Sequence, residues 1–114
     1  MQTIGDAQIF LQKYNEAEKS LNDALLAIPD NEANAIQKAR IYLDFALLFR
    51  SQRKFSESLN YLKKAITQAP TDKQILAEYN LNVGRILFAS GYDVSAIIWL
   101  EKAEKLFAAE KTSP

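Results

Sequence analysis

The chain has 114 residues, and its 14 Lys and Arg balance its 14 Asp and Glu, so the formal net charge is zero. It has no Cys and no His, which excludes disulfides and removes the commonest general base and metal ligand. Neutral charge argues against nucleic-acid binding, which needs a dominant basic surface. We therefore expect one domain that is not an enzyme and has no cofactor, metal site or nucleic-acid partner.

Location follows from the same composition. No apolar run approaches the roughly 18 residues that a membrane-spanning helix needs. The first residues carry neither the basic nor the apolar region of a secretory signal. We therefore expect a cytoplasmic protein with no membrane partner.

Apolar residues recur at helical spacing through most of the chain, and no stretch alternates with the period of a strand. This pattern predicts an all-α fold. Asp30 or Asn31 is a suitable N-cap after the first stretch, Thr71 with Gln74 resembles a capping box, and Gly91 suits the end of a helix. The predicted helices span about 2–12, 15–28, 32–51, 55–68, 72–90 and 94–109, with a frayed tail at 110–114.

The same residue types recur at two fixed intervals, 41 and 38 residues. The sets that keep these intervals are Gly5, Ala46 and Gly84; Ala17, Ser58 and Ala96; Leu21, Leu62 and Leu100; and Ala24, Ala65 and Ala103. Small residues at these positions let two helices approach closely, and bulky residues fill the space between them. The unit is therefore a helical hairpin present three times, over about 1–29, 32–70 and 72–109, within a single domain 1–114.

This arrangement resembles the tetratricopeptide repeat, in a variant whose repeats are longer than the usual 34 residues. The first copy has Gly5 on its first helix, Tyr14 opening the second helix, and Pro29 after it. The second copy has Phe55 and Pro70 at the last two of these positions. The resemblance implies antiparallel hairpins stacked as a right-handed α-solenoid. It also implies a scaffold that binds a protein or peptide in a concave groove lined by the first helices.

In this register, one set of side chains on the first helices of the second and third hairpins is expected to face the groove. Their mixture of apolar and charged groups suits an apolar peptide or helix with some charge complementarity. The alternative is that the apolar members pack in the core and the charged members are ordinary exposed groups. The groove candidates are Arg40, Leu43, Asp44, Leu47, Arg50, Leu81, Asn82, Arg85 and Phe88.

The last helix carries more apolar residues than one packing stripe needs. Ala96 is expected to face the core, which points Val94, Ile97 and Ile98 away from it. We expect these three to form an end face that associates with a second copy, giving a homo-oligomer, or with another part of a longer protein. The alternatives are that the helix rotates or that Trp99 folds over the patch. A second functional hypothesis is a peptide-sensing segment of a larger regulator.

Overall fold

The structure, a computed structural model, describes the backbone of residues 4–112 and the side chains of residues 11–109. The described residues form helices and no strand, which confirms the all-α prediction. The helices are α1 (Ile4–Ala27), α2 (Ala35–Ser51), α3 (Phe55–Gln68), α4 (Lys73–Ala89) and α5 (Asp93–Thr112), with a short 3-10 helix at Glu32–Asn34 before α2.

The ends of α2 to α5 lie within three residues of their predicted positions. Asn31 caps the 3-10 helix, because its side chain accepts a hydrogen bond from the backbone N–H of Asn34. The predicted capping box is wrong by one residue: the carboxylate of Asp72 accepts the N–H of Ile75 at 2.9 Å. Helix α5 continues to Thr112, so 110–112 are helical rather than frayed, and 113–114 lie outside the described residues.

Two turns close α2–α3 and α4–α5 into hairpins in the same way. Each contains one residue in the left-handed region, Arg53 with φ 61° and Gly91 with φ 88°. The residue after each of them donates a backbone hydrogen bond to the preceding helix: the N–H of Lys54 to the carbonyl of Phe49, and the N–H of Tyr92 to the carbonyl of Leu87. The left-handed residue therefore ends one helix and directs the chain back along it.

Small residues hold the two helices of each hairpin close together, as the repeat pattern predicted. A Cβ on Gly84 would lie 2.8 Å from the Cδ2 and Cγ atoms of Leu100, so only glycine fits there without a shift. In the other hairpin, the hydroxyl of Ser58 donates a 2.6 Å hydrogen bond to the carbonyl of Ala46. The packing is continuous between hairpins, because α4 contacts both α3 and α2.

The first predicted hairpin does not form, because α1 is one unbroken helix of 24 residues. The prediction of separate helices over 2–12 and 15–28, and of a hairpin over about 1–29, is therefore wrong; residues 1–3 lie outside the described residues. No Gly or Pro interrupts 12–15, and the side chain of Gln12 donates to Glu16 one turn later. The stack consists of one long helix followed by two closed hairpins.

Candidate functional site

Arg50 of α2 and Arg85 of α4 belong to different hairpins whose helices contact each other, and the two side chains interact electrostatically. Burial lowers the pKa of the Arg50 guanidinium, and the neighbouring Arg85 cation lowers that pKa further. The Nε of Arg50 is buried and makes no hydrogen bond within the described part of the chain. Arginine stays charged in proteins, so the two guanidinium groups repel each other. The Nε–H of Arg50 is in addition an unused hydrogen-bond donor within the described part of the chain. A nearby negative charge stabilises the charged form of such groups.

The surface beside the arginine pair is partly apolar. Phe88 lies three residues after Arg85 on the same face of α4, and its side chain is 64% exposed. Arg40 is exposed on α2, while Leu81 and Asn82 are half-buried. The amide of Asn82 donates to the carbonyl of Glu78 in its own helix, which occupies one of its donors.

Three other groove candidates lie elsewhere. Leu43 is buried in the core, which corrects its assignment to a partner-binding surface. Asp44 and Leu47 are exposed, but they line a second groove, between α1 and α2. Neighbouring residues of a helix point about 100° apart, so Leu43 and Asp44 face different surroundings.

The groove between α1 and α2 has a volume of about 410 Å³ and is mainly apolar. Burial in this region raises the pKa of Asp44, and the cation of Arg40 partly opposes that rise. The repeat positions alone did not indicate that Ser20, Leu48 and Ser51 would line it. Its lining residues are Ala17, Ser20, Leu21, Asp44, Leu47, Leu48 and Ser51.

The predicted end face is exposed on α5. Val94 is 76% exposed, Ile97 54% and Ile98 51%. Trp99 does not cover them, because it packs edge-on against Tyr79 of α4, with 6.1 Å between the ring centres. Ala96 and Ala103 on the opposite side of α5 are buried, so α5 has the predicted orientation.

Neither metal ligands nor membrane spans are found in the part of the chain that the structure describes. Within that part, no three His, Cys, Asp or Glu residues lie together in a way that could hold a metal ion. The described helices also include none with the length and hydropathy needed to cross a bilayer.

Comparison with known proteins gives one match. The sequence profile of the tetratricopeptide repeat family matches residues 1–31 and 39–72, which together are more than half of the chain. Searches with this chain found no match among the curated proteins and none among the solved structures. The second matched range covers most of the α2–α3 hairpin, and the first covers the whole of the unbroken helix α1. The profile therefore agrees with the internal repeats and, in its second range, with the hairpin packing, and the chain belongs to the tetratricopeptide repeat family.

Proposed function

We propose that this chain is a non-enzymatic interaction module that binds an amphipathic peptide or helix, with at least one acidic side chain, against α2 and α4. Repeats of its family generally mediate protein–protein interactions. The observation that carries the proposal is the pair Arg50 and Arg85, two cations that interact electrostatically, with the Nε of Arg50 buried and without a hydrogen bond among the described residues.

The chemistry of the pair indicates what it would bind. A guanidinium presents parallel N–H donors that match a carboxylate; one carboxylate offsets half of the charge of two guanidinium groups, and two carboxylates neutralise it. Phe88 is exposed on the same face of α4 as Arg85. Its ring can pack against an apolar side chain of the partner that lies one helical turn from the partner's carboxylate. An amphipathic helix supplies both groups at a spacing of three or four residues.

A binding experiment tests this proposal with two synthetic peptides. One has Leu and Glu at spacings of three and four residues on one face of a helix, and the other has Gln in place of every Glu. We expect the Glu peptide to bind about tenfold tighter in fluorescence anisotropy, and Arg50→Gln or Arg85→Gln to remove that preference, because a hydrogen bond to a charged group contributes about 1.5–3 kcal/mol.

Lys63→Gln is the matched control, because Lys63 is exposed on α3 and the change also removes one positive charge. This variant should keep the preference for the Glu peptide. Equal binding of the two peptides by the unaltered chain, or equal losses in the Lys63 and Arg50 variants, would contradict the proposal.

The exposure of Val94, Ile97 and Ile98 favours a second candidate function, self-association through the end face. Contiguous apolar side chains on a surface are typical of an interface. We expect Ile97→Glu with Ile98→Glu to lower the association constant through this face at least tenfold in sedimentation equilibrium, without loss of helicity. A Lys63→Glu variant controls for added negative charge. An unchanged association constant in the double variant would exclude the end face.

A further inference from the structure

Three positions that are buried or nearly buried in the second and third repeats are more exposed in the first repeat. Leu21 and Ala17 of α1 are half-buried and Ala24 is exposed, and no side chain described in α1 is fully buried. Their counterparts in the second and third repeats lie beneath the first helix of the same hairpin. Those counterparts are Ser58, Leu62 and Ala65, and Ala96, Leu100 and Ala103, of which only Leu100 retains some exposure.

The sequence contains the segment that would cover them. Gly84 approaches Leu100 in the third repeat, and the corresponding pair in the first repeat is Gly5 and Leu21. Both residues lie on α1, which is one continuous helix. Sixteen residues of helix separate them by about 24 Å at 1.5 Å per residue. The N-terminal part of α1 therefore cannot cover the rest of α1 within one copy of the chain.

The groove between α1 and α2 lies where such a covering helix would pack. In the second repeat, the first helix, α2, contacts both α3 of its own hairpin and α4 of the next. The equivalent helix of the first repeat would contact the second half of α1 and also α2. Those two surfaces line the 410 Å³ groove, with Leu21 on one side and Leu47 and Leu48 on the other. The groove thus continues the packing already present in the stack.

We propose that two copies of this chain exchange the N-terminal parts of their α1 helices. Residues 4–11 of each copy pack into the α1–α2 groove of the other and complete its first repeat. The occupant is a second copy because the sequence that matches the covering helix lies in this chain, beyond reach of its own groove. Reciprocal exchange of an identical element is a common route to symmetric dimers.

Gln12 is the position that decides between exchange and closure. The intervals of 41 and 38 residues place Gln12 in register with Arg53 and Gly91, the two left-handed residues that close the other hairpins. A side chain other than glycine is strained in that region. Gln12 remains helical instead and donates to Glu16, so α1 stays open.

Disulfide trapping tests the exchange directly, since the chain has no cysteine of its own. Gly5→Cys and Leu21→Cys are placed in separate preparations, mixed in equal amounts, refolded together from urea and oxidised. We expect a disulfide-linked heterodimer on a non-reducing gel, at least fivefold more abundant than for Gly5→Cys mixed with Asn22→Cys. Asn22 is exposed and turned about 100° away from Leu21. Equal yields from the two mixtures would overturn the proposal.

Variants at Gln12 provide a second test that needs no cross-link. Gln12→Gly permits the left-handed turn and weakens the open helix, whereas Gln12→Ala favours the open helix. We expect sedimentation equilibrium to show a dimer dissociation constant at least tenfold higher for the Gly variant than for the Ala variant. Equal dissociation constants, or a monomer in both variants at 100 µM, would overturn the exchange. The proposed exchange involves neither the arginine pair nor the end face. A negative result for the exchange would therefore not contradict the proposed function.

Discussion

Replacing Leu62 with Ala is expected to lower the free energy of unfolding by about 2–5 kcal/mol, the range for a large aliphatic side chain removed from a core. Leu62 is completely buried between α2 and α3, and it belongs to the cluster that links the two hairpins. Small proteins are stable by only about 5–15 kcal/mol, so this change removes a large part of the total. Urea unfolding followed by circular dichroism measures the difference.

Leu26→Ala is the matched control, because Leu26 is 84% exposed on α1. The same atoms are removed, but they leave no cavity, so we expect a change below about 0.5 kcal/mol. Equal losses in the two variants would show that burial in the α2–α3 hairpin does not set the stability of the fold.

Gly84→Val is expected to destabilise the chain by about 1–3 kcal/mol through overpacking. The added Cβ would lie 2.8 Å from two atoms of Leu100 and 3.3 Å from the carbonyl oxygen of Ala96, so α4 and α5 must move apart. Thermal unfolding of the variant measures the loss.

A second substitution separates this clash from an effect on helix propensity. Leu100→Ala shortens the side chain that the new valine would meet, so it should cost less in the Gly84→Val background than in the unaltered chain. Identical costs in the two backgrounds would show that the two positions do not interact.

The sequence was sufficient to predict α2 to α5 because apolar spacing runs through each helix and two of the turns between them have a chemical signal. Pro70 and Gly91 stand at turns, and apolar spacing marks the face of each helix that is buried. The small residue at Gly84 and the bulky residue at Leu100 correctly predicted a close helix contact. Helix ends depend on residues close in the sequence, and the close contact depends on one neighbouring helix of the same hairpin. A sequence pattern can indicate both kinds of feature.

The first hairpin was mispredicted because no Gly or Pro in the sequence marks whether the chain turns at 12–15 or continues as a helix. Arg53 is not a glycine, yet it adopts a positive φ and closes its hairpin. Its counterpart Gln12 is likewise not a glycine, so residue type alone does not distinguish a turn from a continuous helix at this position. Helix α1 continues through Gln12. The repeat pattern predicts that Gly5 contacts Leu21, and it does not specify whether that contact would form within one copy or between two.

The partner-binding role of the groove residues stays a prediction. The choice of Arg50 and Arg85 rested on repeat register, and the charge of Arg85 contributes to the lowered pKa of Arg50. Register could not separate Leu43, which is buried, from Asp44 beside it, which lines another groove. That division depends on the rotation of α2 against α1 and α4, which no local pattern specifies.

The continuity of α1 is the central structural claim, and a distance between two spin labels tests it most directly. Labels are attached through Gln8→Cys and Asn22→Cys in one chain, which is diluted into an excess of unlabelled chain so that only distances within a copy contribute. A continuous helix predicts a single separation of about 21 Å for 14 residues. A distribution centred near about 10 Å, the spacing of two packed helices, would show a closed first hairpin and contradict the account.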